Sequence, residues 1–362
     1  MSLRHTALLA GVLSACTGRE APAPQRDSSA PPDLVLVAFE GAPLFEPREL
    51  TAATVLPGAL SVHPSPGTSW AALLTGQWPG TTSASPPNTL HGVLQLYGYQ
   101  PQLHASPALE AAGERSAWLL QGLERLPGPC PADSLAAALR APVTDPAGAR
   151  LTVIAVPADD GACPGSRAAV LGQLSSLQPA GSHPRHVALV GLSAAASDLR
   201  SADLRAQLAF SGPGWDARRV PGPATVVDVL PTLLTLGGAV VPSDASGVDL
   251  SLTRTIGPGA LPPAVFLQDA AGNALVRTSR HQLWIPAAHR QSMGSADPLP
   301  QAILDDLQVH TLDGSPEPDA SAAEAVVQTA RAWERSLAGR TAADRAGADT
   351  LRQILAEQGY WD

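Results

Sequence analysis

Three continuous apolar runs rich in Val and Leu constrain this chain most: Asp33 to Phe39 (DLVLVAF), Leu151 to Val156 (LTVIAV) and His186 to Leu192 (HVALVGL). A strand with one wet face alternates apolar and polar residues, and these runs do not. Each reads as a strand buried on both faces, the situation of a parallel sheet covered by helices. Helical patterns lie between them, at Thr89 to Tyr97, Asp133 to Leu139 and Ser166 to Leu177. Strands alternating with helices predict an α/β fold: a three-layer sandwich around a mostly parallel central sheet. The texture changes from Ala264 onward. Ala264 to Gln268, Ala274 to Thr278 and His281 to Ile285 read as short strands of a small C-terminal antiparallel sheet, followed by helices at Asp319 to Leu337 and Asp349 to Gln358. The expected division is a main α/β domain over residues 33–255 and a C-terminal subdomain over 256–362.

Apolar residues make up 44% of the chain, enough for a sizeable core, but aromatics are only 4%, so Leu, Val and Ala must fill it. A net charge of −9 argues against a nucleic-acid partner, which needs a basic face. All 23 basic residues are arginine. Whatever its origin, the missing lysine removes Schiff-base chemistry, a lysine general base and a phosphate-gripping ammonium.

Residues 1–15 read as an export signal: Arg4 and His5, an apolar stretch from Ala7 to Leu13, then Ser14 and Ala15 before Cys16. The stretch is far shorter than the roughly 20 residues that span a bilayer. Leu-Ser-Ala-Cys resembles the bacterial lipobox, in which the cysteine thiol takes the lipid and becomes the mature N-terminus; the other reading is an ordinary cleaved signal. With Cys16, residues 17–32 (TGREAPAPQRDSSAPP) form a Pro/Ala/Ser-rich tether of roughly 20–25 Å root-mean-square reach. The expected place is the cell envelope, lipid-anchored, on the periplasmic side of the outer membrane. Cys130 and Cys163 sit in Gly/Pro-rich loops and are disulfide candidates in an oxidising compartment, with two free thiols as the alternative.

Several segments follow one another in the order and character of the sulfatase family, within the alkaline phosphatase superfamily. Phe210 to Val220 (FSGPGWDARRV), the helix pattern Ala224 to Gly238 (ATVVDVLPTLLTLGG) and Gly247-Val248-Asp249-Leu250 resemble the family's RGPG loop, VDxxPTLL helix and DGxSL turn. Ala72 to Pro79 (ALLTGQWP) is similar to its SLLTGxYP helix, and Leu275 to Ile285 (LVRTSRHQLWI) to its VRTxRYKLI hairpin. Leu304 to Leu307 and Leu351 to Tyr360 resemble its terminal segments, so the match spans nearly all of residues 33–362.

The resemblance implies a divalent cation, usually calcium, bound at strand ends by aspartates, and an oxidised Cys or Ser nucleophile supported by basic residues. Where the family has its first aspartate pair, this chain has Glu40 and Gly41; the second pair falls at Leu192, Ser193, Ala194 and Ala195. Counting seven residues back from Leu73 puts Pro66 at the nucleophile, with Trp70 in the place of the supporting arginine. Gln282 replaces the hairpin lysine, and His104-Ala105-Ser106 falls where other cations are expected. The metal and nucleophile positions therefore read as replaced, and the leading expectation is a sulfatase-like protein without hydrolase activity or cofactor. Its role is binding or scaffolding, with a protein or an anionic ligand as partner. The alternative is a divergent ester hydrolase using Glu40 with Asp159 or Asp160 around calcium, and Ser65 or Thr68 as nucleophile. A third reading is a partner subunit of an active relative. His63 and the Arg218-Arg219 pair read as surface groups.

Overall fold

The structure is a computed structural model that describes residues 31–41, 53–63, 65–78, 88–140, 148–158, 163–175, 184–192, 206–256, 261–262, 264–268, 271–312 and 315–335. Its centre is an eight-stranded sheet. In chain order the strands are β1 (Asp33–Phe39), β2 (Thr54–Leu56), β3 (Ala59–Leu60), β4 (Gln100–His104), β5 (Glu124–Arg125), β6 (Arg150–Val156), β7 (Arg185–Gly191), β8 (Gln207–Ser211), β9 (Arg218–Arg219) and β10 (Ala224–Thr225). The order across the sheet is β5-β4-β6-β1-β7-β8-β2-β9, and β3 pairs with β10 beside it. β1 lies in the middle, in parallel register with β6 (Leu36 opposite Val153) and β7 (Leu36 opposite Ala188), and β8 alone runs against its neighbours.

The three doubly apolar runs are the three central strands, and their alternate side chains feed two different cores. Leu34, Leu36 and Ala38 pack with helices α1 (Pro66–Thr75), α2 (Leu90–Leu96) and α3 (Pro107–Arg115) on one face. Val35, Val37 and Phe39 pack on the other face, under α4 (Pro131–Arg140) and α5 (Ser166–Ser175). This is the expected three-layer sandwich. Cys130 and Cys163, just ahead of α4 and α5, are joined by a disulfide.

The first layer is completed by α6 (Val229–Leu236), the helix of the VVDVLPTLL pattern. Asp228 caps its approach: its carboxylate accepts from the Thr225 backbone N–H at 2.7 Å and from that of Val248 at 2.8 Å. Burial pushes this carboxyl up to about 6, against the pull of those bonds. Gly247 must be glycine, because a Cβ there would stand 2.1 Å from the Val227 carbonyl oxygen. The resemblance segments around Asp228 and Gly247 are thus one packing unit. A short helix, α7 (Thr253–Ile256), follows.

The second sheet is antiparallel: β11 (Ala264–Gln268), β12 (Ala274–Thr278), β13 (His281–Ile285) and β14 (Val309–Thr311), with the first three bounded as the sequence predicts. Helices α8 (Ala287–Gly294), α9 (Gln301–Asp306) and α10 (320–335) pack with it. Val265, Leu267 and Leu275 share a cluster with Leu60 of β3. The described residues from Pro31 onward belong to one compact unit. The predicted helix at 349–358 lies outside the described residues.

Candidate functional site

In a doubly wound sheet, chemistry gathers where the strands end at their C-terminal edge. Glu40 stands there, directly after β1, with its backbone N–H bonded to the Val156 carbonyl at 2.8 Å. The residue is only 6% exposed. Strand alternation aims Phe39 at the α4–α5 layer and Glu40 at the opposite one, where two side chains meet it. The Trp70 indole Nε1 donates to Glu40 Oε1 at 2.6 Å, and the Ser106 hydroxyl donates to the same oxygen.

Both partners are placed by helix starts. Ser106 is the N-cap of α3: it precedes Pro107 at the first helical position, and its hydroxyl accepts from the Leu109 N–H at 3.1 Å. The carboxylate therefore lies by the N-terminus of a helix, where negative charge is favoured. Trp70 is in the second turn of α1 and is completely buried. Burial raises the Glu40 carboxyl above its ordinary 4.5, and the bonds from Ser106 and Trp70 pull it back part of the way.

The other predicted residues take different places. Pro66 opens α1 at the position where the resemblance puts a nucleophile, and Ser65 is the N-cap, with a hydroxyl that makes no capping bond. The Ser65 backbone N–H donates to His63 Nδ1 at 2.9 Å. Thr68 is half-buried in the first turn of α1. Over Gly67 lies the Arg115 guanidinium, close enough that a Cβ on Gly67 would stand 2.5 Å from Nη2. His104 Nδ1 is 2.8 Å from the Ser134 hydroxyl, and Arg218 donates to the Thr253 carbonyl. Asp159, Asp160, Ser193 and Cys16 lie outside the described residues. Sequence reasoning missed Ser106 as a partner of Glu40, and Arg167, whose guanidinium carbon sits 5.6 Å from the Phe39 ring centre on the other face of the sheet. The Ser-Pro step at a helix start was the available signal for Ser106.

A hard divalent cation takes about six to eight oxygen ligands, mostly from carboxylates. Here Glu40 brings one carboxylate, and one of its oxygens already accepts an indole N–H and a hydroxyl. The indole presents the positive end of its dipole where a cation would have to sit. Gly41, in a left-handed turn at φ 61°, adds no side chain, and β7 runs out into buried Leu192. Among the described residues no three of His, Cys, Asp and Glu come together. The described residues at this strand edge do not fit the ion.

No protein-family model matches the sequence, and no curated protein matches it. Solved structures do. A 2-O GAG sulfatase superposes with a TM-score of 0.58 at 13% identity, over 88% of this chain and 94% of that one. A phosphonate monoester hydrolase from Silicibacter pomeroyi does so at 0.54 and 15% identity, over 84% and 95%. The lipoteichoic acid synthase LtaP from Listeria monocytogenes matches at 0.56 and 10% identity, over 86% and 92%. At these identities the likeness is one of fold.

Proposed function

We propose that this chain, which has the fold of the sulfatases within the alkaline phosphatase superfamily, is a lipid-anchored protein of the cell envelope that binds or scaffolds without hydrolysing esters. The observation that carries the reading is the state of Glu40. It is the carboxylate left at the first metal position, and it is buried with one of its two oxygens taken by both Trp70 and Ser106. Pro66 at the nucleophile position supports the same view, since proline has no group that can attack. Stabilising the charge that develops in ester cleavage needs a cation or positioned donors, and Glu40 and Trp70 provide neither to a substrate. Acylation at Cys16 anchors the chain on the periplasmic side of the outer membrane, and its partner is an envelope protein or an anionic ligand. The Cys130–Cys163 bond suits that oxidising compartment.

The test is turnover. Full-length protein is incubated with aryl sulfate, phosphate mono- and diesters and an aryl phosphonate ester, with calcium, manganese or zinc added in turn. The expected result is hydrolysis no faster than in buffer carrying the same ion. Hydrolysis that saturates with substrate and disappears in Glu40→Gln overturns the proposal. It would favour the divergent hydrolase built on Glu40 with Asp159, Asp160 and Ser65 or Thr68.

A further inference from the structure

Opposite the Glu40 edge, at the N-terminal edge of the sheet, two large apolar side chains stand in solvent: Leu96 is 86% exposed and Val240 is 71% exposed. Single exposed apolar residues are ordinary. These two are linked. Tyr97, next to Leu96, accepts the Val240 backbone N–H on its hydroxyl at 3.0 Å, so α2 and the end of α6 present both residues from one joined turn region.

The chain enters the domain beside them. Tyr99 donates from its hydroxyl to the Pro32 carbonyl at 3.0 Å and lies 3.3 Å from the Gly237 carbonyl. The segment leading into β1 is thus pinned to the same turns that carry Leu96 and Val240. Gln95, Gly98, Gln100 and Gly238, exposed around them, carry no charge, and the Asp33–Arg185 pair at the same strand edge joins one charge of each sign at 3.4 Å. On a molecule of net charge −9 this matters, because an anionic bilayer repels acidic surface and tolerates a neutral one.

We infer that this edge, marked by Leu96 and Val240, rests on the bilayer that holds the anchor, and that the Glu40 edge faces away from it. The inference depends on the lipid-anchored reading above. From Cys16 to Pro32 the tether reaches roughly 20–25 Å. The seven residues of β1 span about 23 Å from edge to edge. A tether of that reach lets the edge where it enters settle on the membrane without extension. Turning the opposite edge to the membrane would use all of that root-mean-square reach merely to run along β1, whereas the entry edge needs almost none of it. Leu and Val at the contact shed water into the acyl boundary, while Tyr97, packed against the core and bonded to the Val240 N–H, holds the two turns together.

Spin labels test this on the full chain. Leu96→Cys, Val240→Cys and, as a control on the Glu40 edge, Ala158→Cys are labelled with a nitroxide while the Cys130–Cys163 bond is intact. Each is reconstituted into phosphatidylethanolamine–phosphatidylglycerol vesicles. The expected result is a several-fold higher ratio of oxygen to nickel-chelate collisions at 96 and 240 than at 158. Equal ratios at all three positions overturn the inference. Low collision with both reagents at 96 and 240 also overturns it, since that marks a second copy of the chain covering the face. Mass spectrometry of the N-terminal peptide separates the two levels. Acylated Cys16 with water-exposed labels sinks the orientation alone, whereas unacylated Cys16 in a protein recovered from the soluble fraction sinks the anchor and the orientation together.

Discussion

Trp70→Ala is expected to destabilise the protein by roughly 3–5 kcal/mol, the range for emptying a buried tryptophan site. For a unit of this size that corresponds to a melting temperature lower by about 4–7 °C. Two losses combine: the largest completely buried side chain of the core, and the indole N–H that holds Glu40. Trp70→Phe separates them, because it keeps an aromatic body and removes the donor. Its cost should be about 1–3 kcal/mol, that of leaving a buried acceptor short of a partner.

The pH dependence carries the diagnosis. Glu40 titrates above 4.5 in the folded protein, so the folded state binds its proton more tightly than the unfolded chain does. The contribution of such a group to stability falls as pH rises from that ordinary value through the folded one. Removing the indole N–H raises the folded value further. Thermal melts should therefore show the Trp70→Phe penalty growing from about pH 4 to neutral pH. A Trp70→Phe protein as stable as the wild type across that range contradicts the bond.

Removing the disulfide is the second large effect. Cys130 and Cys163 are 33 residues apart, and closing a loop of that length stabilises by about 4 kcal/mol on the chain-entropy account. The bond joins the approaches to α4 and α5, the helices that cover Val35, Val37 and Phe39. Cys130→Ser with Cys163→Ser should lower the melting temperature by about 5 °C or more. Hydrogen exchange should rise first in α4 and α5, and much less in α1 and α6. Two thiols that react freely with an alkylating reagent in the native oxidised protein contradict the pairing.

The layout of the fold was readable where burial is two-sided. DLVLVAF, LTVIAV and HVALVGL are adjacent central strands, and the same apolar runs supply both cores. β4 escaped notice because QPQLH contains a proline and alternates in exposure, next to the two-residue edge strand β5. β2 and β8 are short, and β8 runs antiparallel, so neither produces a long apolar signature. At the candidate site Glu40 was visible as a carboxylate at the end of a doubly buried strand. Its partners were not, because Trp70 and Ser106 reach it from 30 and 66 residues away through the docking of α1 and α3. Sequence alone marked Trp70 as a replacement for an arginine. The fold turns it into the group that closes the site from inside.

Calorimetric titration of calcium into chelator-treated, full-length protein, with Glu40→Gln in parallel, tests the central claim most directly. If Glu40 serves the core through Trp70 and Ser106, neither protein gives a saturable heat through the millimolar range, and calcium leaves both melting temperatures unchanged. One calcium bound per chain by the wild type, lost in Glu40→Gln, would contradict the account and return Glu40 to the role of metal ligand.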